Sequence, residues 1–233
     1  MNHVVVQMVD KLLRINGMKR YYEMVSGTVK ALDGVDLTID DGERIILLGP
    51  SGSGKTTLLN CVAALDNPTE GTYSFEGRSV PRDAPEKMTT FRRDNIGYVF
   101  QFFNLLQDLT VLENILLIQE LSGGRDEKRA RELLALVGLE DEVNRFPTEI
   151  SGGQQQRVAI ARSLAKSPKL LLGDELTGNL DSKTSAMVME VLVKACEAEG
   201  ITTIFVTHDE SLAKYATRVI RLDSGKVIFD EKV

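Results

Sequence analysis

The sequence of 233 residues has no tryptophan, two histidines and two cysteines. Cys61 and Cys196 lie far apart, and no disulfide framework or ligand spacing of a zinc site is visible. No run of about 18 apolar residues is present, so no segment is predicted to span a membrane. The N-terminus also lacks the charged and apolar regions of a secretory signal. We therefore expect a cytoplasmic protein that reaches a membrane only through a partner.

The charge balance is acidic, with a formal net charge of −6. A general nucleic-acid coat needs an excess of Lys and Arg to neutralise phosphates, so we expect no nucleic-acid partner. With 42% hydrophobic and 27% charged residues, the composition is that of an ordinary globular protein. The length suffices for one sizeable core with a smaller inserted lobe.

The order of the predicted elements indicates an α/β fold. Several short segments are apolar without polar alternation, which is typical of strands buried on both faces of a parallel sheet. These segments are 45–48, 96–100, 169–173 and 201–207.

Other segments predict additions to this core. The alternation at 13–15 and 72–75 predicts strands of an antiparallel β subdomain at the edge of the core, and 219–229 predicts a hairpin around Asp-Ser-Gly-Lys. From Thr110 to Ser167 helical periodicity dominates, which predicts an inserted α-helical lobe.

A glycine-rich loop fits the pattern G-x-x-x-x-G-K-[ST] between a buried strand and a helix predicted from Lys55 to about Ala64. Its glycines let successive N–H groups point at an anion, and the helix N-terminus adds a positive dipole. Lys55 is expected at the β- and γ-phosphates of a nucleotide, and the Thr56 hydroxyl at Mg²⁺. The predicted binding residues are Gly49, Pro50, Ser51, Gly52, Ser53, Gly54, Lys55, Thr56 and Thr57.

Two acids follow the apolar segment at 170–173. Residues at the carboxyl ends of strands face the ligand crevice in open α/β sheets. We expect Asp174 to hold Mg²⁺, directly or through water, and Glu175 to act as the general base for the attacking water. The alternative reading is a solvated acidic turn.

A second glycine-containing segment, Ser151-Gly152-Gly153-Gln154, opens a helix after Ile150. It resembles the LSGGQ signature of ABC ATPases, with Ile150 in the place of leucine. Its exposed N–H groups would form another anion site. The resemblance implies that these four residues contact the γ-phosphate held by a second subunit, so that a two-fold dimer makes two composite ATP sites.

Further segments resemble this family in the same order along the chain. Gln101 is similar to the Q-loop glutamine, which reaches Mg²⁺ and the water, and 179–181 is similar to the D-loop. His208 resembles the switch histidine at the γ-phosphate. Tyr22, rather than its neighbour Tyr21, resembles the aromatic residue that stacks on adenine.

The resemblance implies a single ATPase domain over 1–233, with a P-loop NTPase core and β subdomain at 12–100 and 168–233 and the helical lobe at about 101–167. It implies that Glu175, His208 and Gln101 are catalytic, that Thr56, Gln101 and Asp174 serve the metal, and that ATP and Mg²⁺ are bound. The partners would be a second ATPase subunit and integral membrane permease subunits, which hold the protein at the inner face of the membrane.

Some features depart from the family pattern. Leu176 stands where proline is common, and Gly173 where a bulkier residue is usual, yet neither change removes a chemical group. We interpret residues 1–11 as an extension that the family does not require. His3 lies in none of the motifs, and we expect it to be exposed. The segment Phe102, Phe103, Leu105 and Leu106 has two readings, a groove for a helix of the partner or internal packing of the lobe.

The details of several motifs are similar to the branch of lipoprotein-release, macrolide-export and cell-division ATPases. A cell-division ATPase that signals through a membrane partner without transport is the main alternative to a transporter. A DNA-repair or chromosome ATPase is disfavoured, because only about fifty residues without cysteine separate Gln101 from Ser151. A P-loop kinase would leave the signature segment without a role.

Overall fold

The computed structural model describes residues 11–233. The expected N-terminal extension therefore lies almost wholly outside the described residues, as does His3. In the described range, the elements in chain order are β1 (Leu13–Met24), β2 (Gly27–Ile39), β3 (Arg44–Leu48), α1 (Lys55–Val62), β4 (Glu70–Phe75), β5 (Arg78–Ser79), α2 (Pro85–Asn95), β6 (Ile96–Val99), α3 (Val111–Leu121), α4 (Glu127–Leu136), α5 (Gly152–Leu164), β7 (Leu170–Asp174), α6 (Ser182–Glu199), β8 (Thr202–Val206), β9 (Arg218–Asp223) and β10 (Lys226–Lys232).

The larger sheet within residues 11–233 has the strand order β10–β9–β3–β8–β7–β6. Its strands from β9 to β6 are parallel, and β10 pairs antiparallel with β9 at the edge. The mainly parallel sheet expected from the apolar segments is therefore confirmed. The hairpin expected at 219–229 is also present, and Ser224 and Gly225 at its turn have φ angles of 47° and 75°, as a type I′ turn requires.

Alternate residues of the parallel strands enter different cores. Ile46 and Leu171 pack into a core shared with the helices α3 to α6. Ile45 and Leu170 pack into a second core, shared with α1 and the smaller sheet. Because both faces of the sheet are covered, these strands carry apolar residues at consecutive positions rather than at every second one.

The smaller sheet described by the structure is antiparallel, in the order β2–β1–β4–β5. It covers α1 and supplies the antiparallel β layer expected at the edge of the core. Three helices, α3, α4 and α5, lie between β6 and β7, and Thr110 and Ser151 begin α3 and α5 with capping boxes to Glu113 and Gln154.

Asn114 on α3 organises the loop that joins Gln101 to this helix. The side chain is 1% exposed. Its Nδ2 donates to the carbonyl oxygens of Leu106, Leu109 and Thr110 at 3.0–3.1 Å, and its Oδ1 accepts from the Leu106 N–H at 2.9 Å. One buried amide therefore satisfies several backbone groups of an otherwise irregular segment.

We expect Asn114→Ala to lower the free energy of unfolding by about 2–3 kcal/mol, because buried backbone groups lose their partner. Urea denaturation followed by circular dichroism measures the change. Asn144→Ala, at an exposed position, is the matched control and should stay within about 0.5 kcal/mol of wild type. Equal effects of the two substitutions would contradict this assignment of Asn114.

Candidate functional site

The glycine-rich loop between β3 and α1 is held against the backbone of both sheets. Gly49 has a φ angle of 150° and Gly54 one of 103°. A Cβ atom at Gly49 would overlap the carbonyl oxygen of Leu222, and one at Gly54 would overlap that of Ala31. Both positions therefore require glycine for conformation and for space.

The turn of the β9–β10 hairpin completes this support. The Gly225 N–H donates to the Ser53 carbonyl oxygen at 2.9 Å, and the Gly225 carbonyl accepts from the Asp33 N–H at 2.9 Å. On the other side, Ser51, Gly52 and Thr56 are exposed. One side of the loop thus packs against the rest of the fold, and the other side is open to a ligand.

Lys55 folds over this loop and is 7% exposed. Its Nζ donates to the carbonyl oxygens of Gly49 and Pro50 at 2.7 and 2.8 Å. Burial lowers the pKa of Lys55, although Glu175 and Asp174 act in the opposite direction. The two neutral carbonyl oxygens therefore compensate the positive charge of the ammonium group only in part. A charged phosphate oxygen would be a stronger partner than a carbonyl.

Asp174 lies at the carboxyl end of β7, beside the start of α1. The Thr56 hydroxyl donates to its Oδ1 at 3.2 Å. Burial raises the pKa of Asp174, and the neighbouring Glu175 also raises it, whereas Thr56 and Lys55 lower it. A hydroxyl and a carboxylate side by side are oxygen ligands of the kind that Mg²⁺ prefers.

Glu175 and His208 meet where β7 and β8 end. The Nδ1 atom of His208 lies 2.8 and 3.1 Å from the two carboxylate oxygens of Glu175. Glu175 has a φ angle of 49°, and its N–H donates to the Val206 carbonyl at 3.0 Å. An outlying φ of this kind is tolerated where surrounding contacts determine it, and it turns the carboxylate away from the strand direction.

Gln101 reaches the same area from the end of β6. Its Nε2 and the Oε2 of Glu175 lie 3.6 and 3.5 Å from the position that a Cβ of Gly178 would take. The Asn179 side chain donates to the Gln101 carbonyl at 3.1 Å. Gln101, Glu175 and His208, which are distant in sequence, are thus brought to one edge of the sheet.

Gly173 and Leu176, the two residues that depart from the family pattern on either side of Asp174 and Glu175, pack against each other. A Cβ at Gly173 would lie 2.6 Å from Cδ2 of Leu176 and 2.8 Å from Cδ1 of Phe205. Leu176 is 4% exposed. The missing side chain at 173 therefore makes the space that the leucine at 176 fills, which sequence inspection of each position alone did not reveal.

The signature segment opens α5. The Ser151 hydroxyl accepts from the Gln154 N–H at 3.3 Å, and the Gln154 side chain also donates to Glu142 at 3.2 Å. Within residues 11–233, the side-chain hydrogen bonds of Ser151 and Gln154 run to each other and to Glu142, and none reaches the glycine-rich loop. The chain thus has two separate glycine-containing helix starts.

Tyr22 lies beside the start of α1, whereas Tyr21 bonds elsewhere. The Tyr22 hydroxyl donates to Oδ2 of Asp66 at 2.6 Å. Burial raises the pKa of Tyr22, and Thr57 lies close enough to lower it. Tyr21 bonds to Asp33 instead. Asp66 lies in the turn after α1, and no sequence pattern marked it as a partner of Tyr22.

The apolar residues after Gln101 do not share one environment. Phe102 is 68% exposed and Leu106 48%, whereas Leu105 is 6% exposed and Phe103 packs against the core. Internal packing thus holds for Phe103 and Leu105, whereas a groove for a helix of the partner stays a prediction for the exposed Phe102 and Leu106. A cavity of about 250 Å³ lies next to it, lined by apolar and basic residues that include Leu65, Tyr98, Phe100, Ile118 and Arg162.

A buried strand, a glycine loop, a lysine and an acidic strand end define a P-loop nucleotide-binding protein. A family profile described as "ABC transporter" matches residues 32–178. The lipoprotein-releasing system ATP-binding protein LolD of Geobacter metallireducens is 45% identical over 224 residues, which are 95% of this chain and 100% of LolD. The macrolide export ATP-binding/permease protein MacB of Syntrophobacter fumaroxidans is 42% identical over 93% of this chain and 31% of MacB.

Solved structures agree with these relatives. The cassette MJ0796 of Methanocaldococcus jannaschii, determined as a dimer in a post-hydrolysis state bound to ADP and Pi, superposes with a TM-score of 0.85 at 41% identity. The superposition covers 94% of this chain and 98% of MJ0796. The chain belongs to the ABC transporter family, and the resemblance and fold class expected from the motifs are confirmed.

We expect Gly54→Ala to abolish nucleotide binding, because the new Cβ meets the Ala31 carbonyl and must displace the start of α1. Equilibrium dialysis with radiolabelled ATP measures the affinity. Gly42→Ala is the control, since Gly42 also has a positive φ angle, of 76°, but open space at its Cβ position and no place in the loop. Normal ATP binding by Gly54→Ala would contradict the tight packing described here.

Proposed function

We propose that this chain is the ATP-binding and ATP-hydrolysing subunit of an ABC transporter, and that it works as a face-to-face homodimer. The observation that carries the proposal is the presence of two glycine-containing helix starts with different surroundings. The loop at Lys55 has a lysine, a hydroxyl and two acids around it, whereas the exposed Ser151 begins α5 before two half-buried glycines, with side-chain hydrogen bonds to Gln154 and from Gln154 to Glu142. A second copy supplies the use for the second helix start.

We propose the division of the chain expected from the motifs, with a core and β subdomain at 12–100 and 168–233 and a helical lobe at about 101–167. The position of α3, α4 and α5 between β6 and β7 supports it.

The phosphates of ATP are assigned to residues 49–57 and the adenine to Tyr22. The short distance between Thr56 and Asp174 supports a magnesium site there, and Gln101 follows β6, the strand that pairs with β7. Bound Mg²⁺ would neutralise charge on the β- and γ-phosphates.

Glu175 is assigned as the general base that orients the attacking water. In this state both of its oxygens face His208, so the carboxylate is already fixed in direction. His208 is assigned to the γ-phosphate, and its imidazole is 69% exposed, which leaves it accessible to a ligand at the sheet edge. The chemistry consists mainly of positioning and electrostatic stabilisation.

In the dimer, Ser151 to Gln154 of each subunit would complete the ATP site of the other, and loss of the γ-phosphate would open it. The exposed Phe102 and Leu106 next to Gln101 would take a helix of the permease, so that the partner senses nucleotide through the glutamine. No helix within the described residues is long and apolar enough to cross a membrane. We propose that the permease holds the chain at the inner face of the membrane.

The names of the relatives LolD and MacB favour transport over cell-division signalling. Co-purification of the membrane partner separates the two functions, because a permease with a substrate pathway is expected for the first and a regulator of wall enzymes for the second.

We expect Glu175→Gln to bind ATP with near wild-type affinity and to hydrolyse it at least about 100-fold more slowly, because the water loses its base. ATP should also hold this variant as a dimer in size-exclusion chromatography. Glu190→Gln, on the far helix α6, is the control for loss of one negative charge. Turnover by Glu175→Gln within a fewfold of wild type would rule out its role as base.

We expect two inactive variants to restore activity when they are mixed. Lys55→Met removes the lysine of the P-loop, and Ser151→Asp keeps the helix cap while it sets a negative charge against the γ-phosphate. Each homodimer then has two defective sites, whereas a mixed dimer has one intact site. Randomly mixed chains should recover about a quarter of the wild-type ATPase rate. No recovery, with mixed dimers demonstrated by two affinity tags, would contradict the composite site.

A further inference from the structure

Tyr22 belongs to a three-residue cluster with Arg20 and Asp66. The phenol hydroxyl donates to Oδ2 of Asp66 at 2.6 Å. Arg20 binds the same carboxylate through two nitrogens, Nε to Oδ2 at 2.9 Å and Nη2 to Oδ1 at 2.8 Å. The Arg20 guanidinium also lies 4.3 Å from the centre of the Tyr22 ring. The Asp66 carboxylate therefore holds both the Tyr22 hydroxyl and the Arg20 guanidinium, which together define the position of the Tyr22 ring.

The carboxylate is itself anchored to the core. The Asp66 N–H donates to the Asn60 carbonyl of α1 at 3.1 Å, and Oδ1 of Asp66 accepts from the Asn67 N–H at 2.8 Å. Three residues further on, the Thr69 N–H donates to the Lys19 carbonyl on β1 at 2.7 Å. Asp66 thus joins the helix of the P-loop to the strand that carries Tyr22.

The surroundings of Tyr22 explain why such an anchor matters. Met24 and Val25, at the tip of the β1–β2 hairpin, are fully or largely exposed, and Tyr22 lies only two residues before Met24. A tyrosine near a solvated tip would lose freedom on stacking against a base, and that loss weakens binding. A ring that is anchored before the base binds has already lost this conformational freedom.

The charge state of Asp66 suits this role. Burial opposes its ionisation, but the hydrogen bonds from Tyr22 and Arg20 outweigh burial, and the pKa of Asp66 is lowered. Asp66 therefore stays a carboxylate at neutral pH, and the guanidinium keeps its partner. Arg20 covers one face of the aromatic ring, in the arrangement of a cation–π contact.

We propose that Asp66 and Arg20 are positioning residues for nucleotide binding, which hold the Tyr22 ring ready to stack a nucleobase on the face opposite Arg20. The proposal rests on the assignment of Tyr22 to the adenine under the proposed function. The side chains of Asp66 and Arg20 bond to each other, to Tyr22 and to Asn67, and not to the glycine loop at 49–57, so we expect both to act on affinity for the base alone.

The test compares ATP with magnesium tripolyphosphate, which has the phosphates but no base. Tyr22→Phe removes only the hydroxyl and Asp66→Ala removes the anchor. We expect each to weaken ATP binding about fivefold, the size of one lost hydrogen bond, and to leave tripolyphosphate binding unchanged. The double variant should be no weaker than Asp66→Ala, since Asp66→Ala already removes the partner of the Tyr22 hydroxyl. Isothermal titration calorimetry measures both ligands.

Tyr21→Phe is the matched control, because it removes the neighbouring hydroxyl, which bonds to Asp33, and it should bind ATP as wild type does. The inference is overturned if Tyr22→Phe and Asp66→Ala bind ATP normally, if Tyr21→Phe weakens ATP binding equally, or if Asp66→Ala weakens tripolyphosphate binding as much as ATP binding.

Tyr22→Ala separates the anchor proposed here from the assignment of Tyr22 to the adenine. Weak ATP binding by Tyr22→Ala with normal binding by Tyr22→Phe and Asp66→Ala leaves the stacking role intact and removes the anchor. Normal binding by Tyr22→Ala removes both.

Discussion

The contact between the glycine loop and two distant backbone carbonyls is the constraint on which the site depends. Gly49 and Gly54 lie against Leu222 of β9 and Ala31 of β2, with no room for a side chain. The loop is thereby clamped between the two sheets. A phosphate-binding loop that is fixed from behind presents its N–H groups in one arrangement, which is what electrostatic preorganisation requires. The rest of the site is placed relative to this loop.

The parallel sheet supplies that placement. Strands that run in one direction end at one edge, and there three segments carry the residues of the site: Gln101 after β6, Asp174 and Glu175 at the end of β7, and His208 after β8. The antiparallel layer adds Tyr22, and α5 begins with the signature segment, whose side-chain hydrogen bonds do not reach the loop. Two glycine-containing helix starts in one chain support the proposed dimer, because a single ATP site would use only one of them.

Electrostatics indicate a site that is prepared for a ligand. Burial lowers the pKa of Lys55 and raises that of Asp174, so burial disfavours the charged forms of both groups. A triphosphate beside Lys55 and a cation beside Asp174 would reverse both shifts. A ligand that supplied these charges would also remove the cost of holding Lys55 and Asp174 charged in a partly buried cleft.

The sequence by itself determined the class of fold and the chemical groups of the candidate site. Continuous apolar strands imply a sheet covered on both faces, and the loop at 49–56 and the signature at 151–154 are local patterns that need no tertiary contact to be read. The tertiary structure alone decided the partners of these groups. Examples are the carbonyls behind the glycines, the packing of Leu176 into the space at Gly173, and the bond from Tyr22 to Asp66. Such contacts join residues that are distant in the chain or lie around a tight turn. These contacts depend on the register of the strands, on how the elements cross and on the volumes of the side chains, which no local pattern of residues encodes.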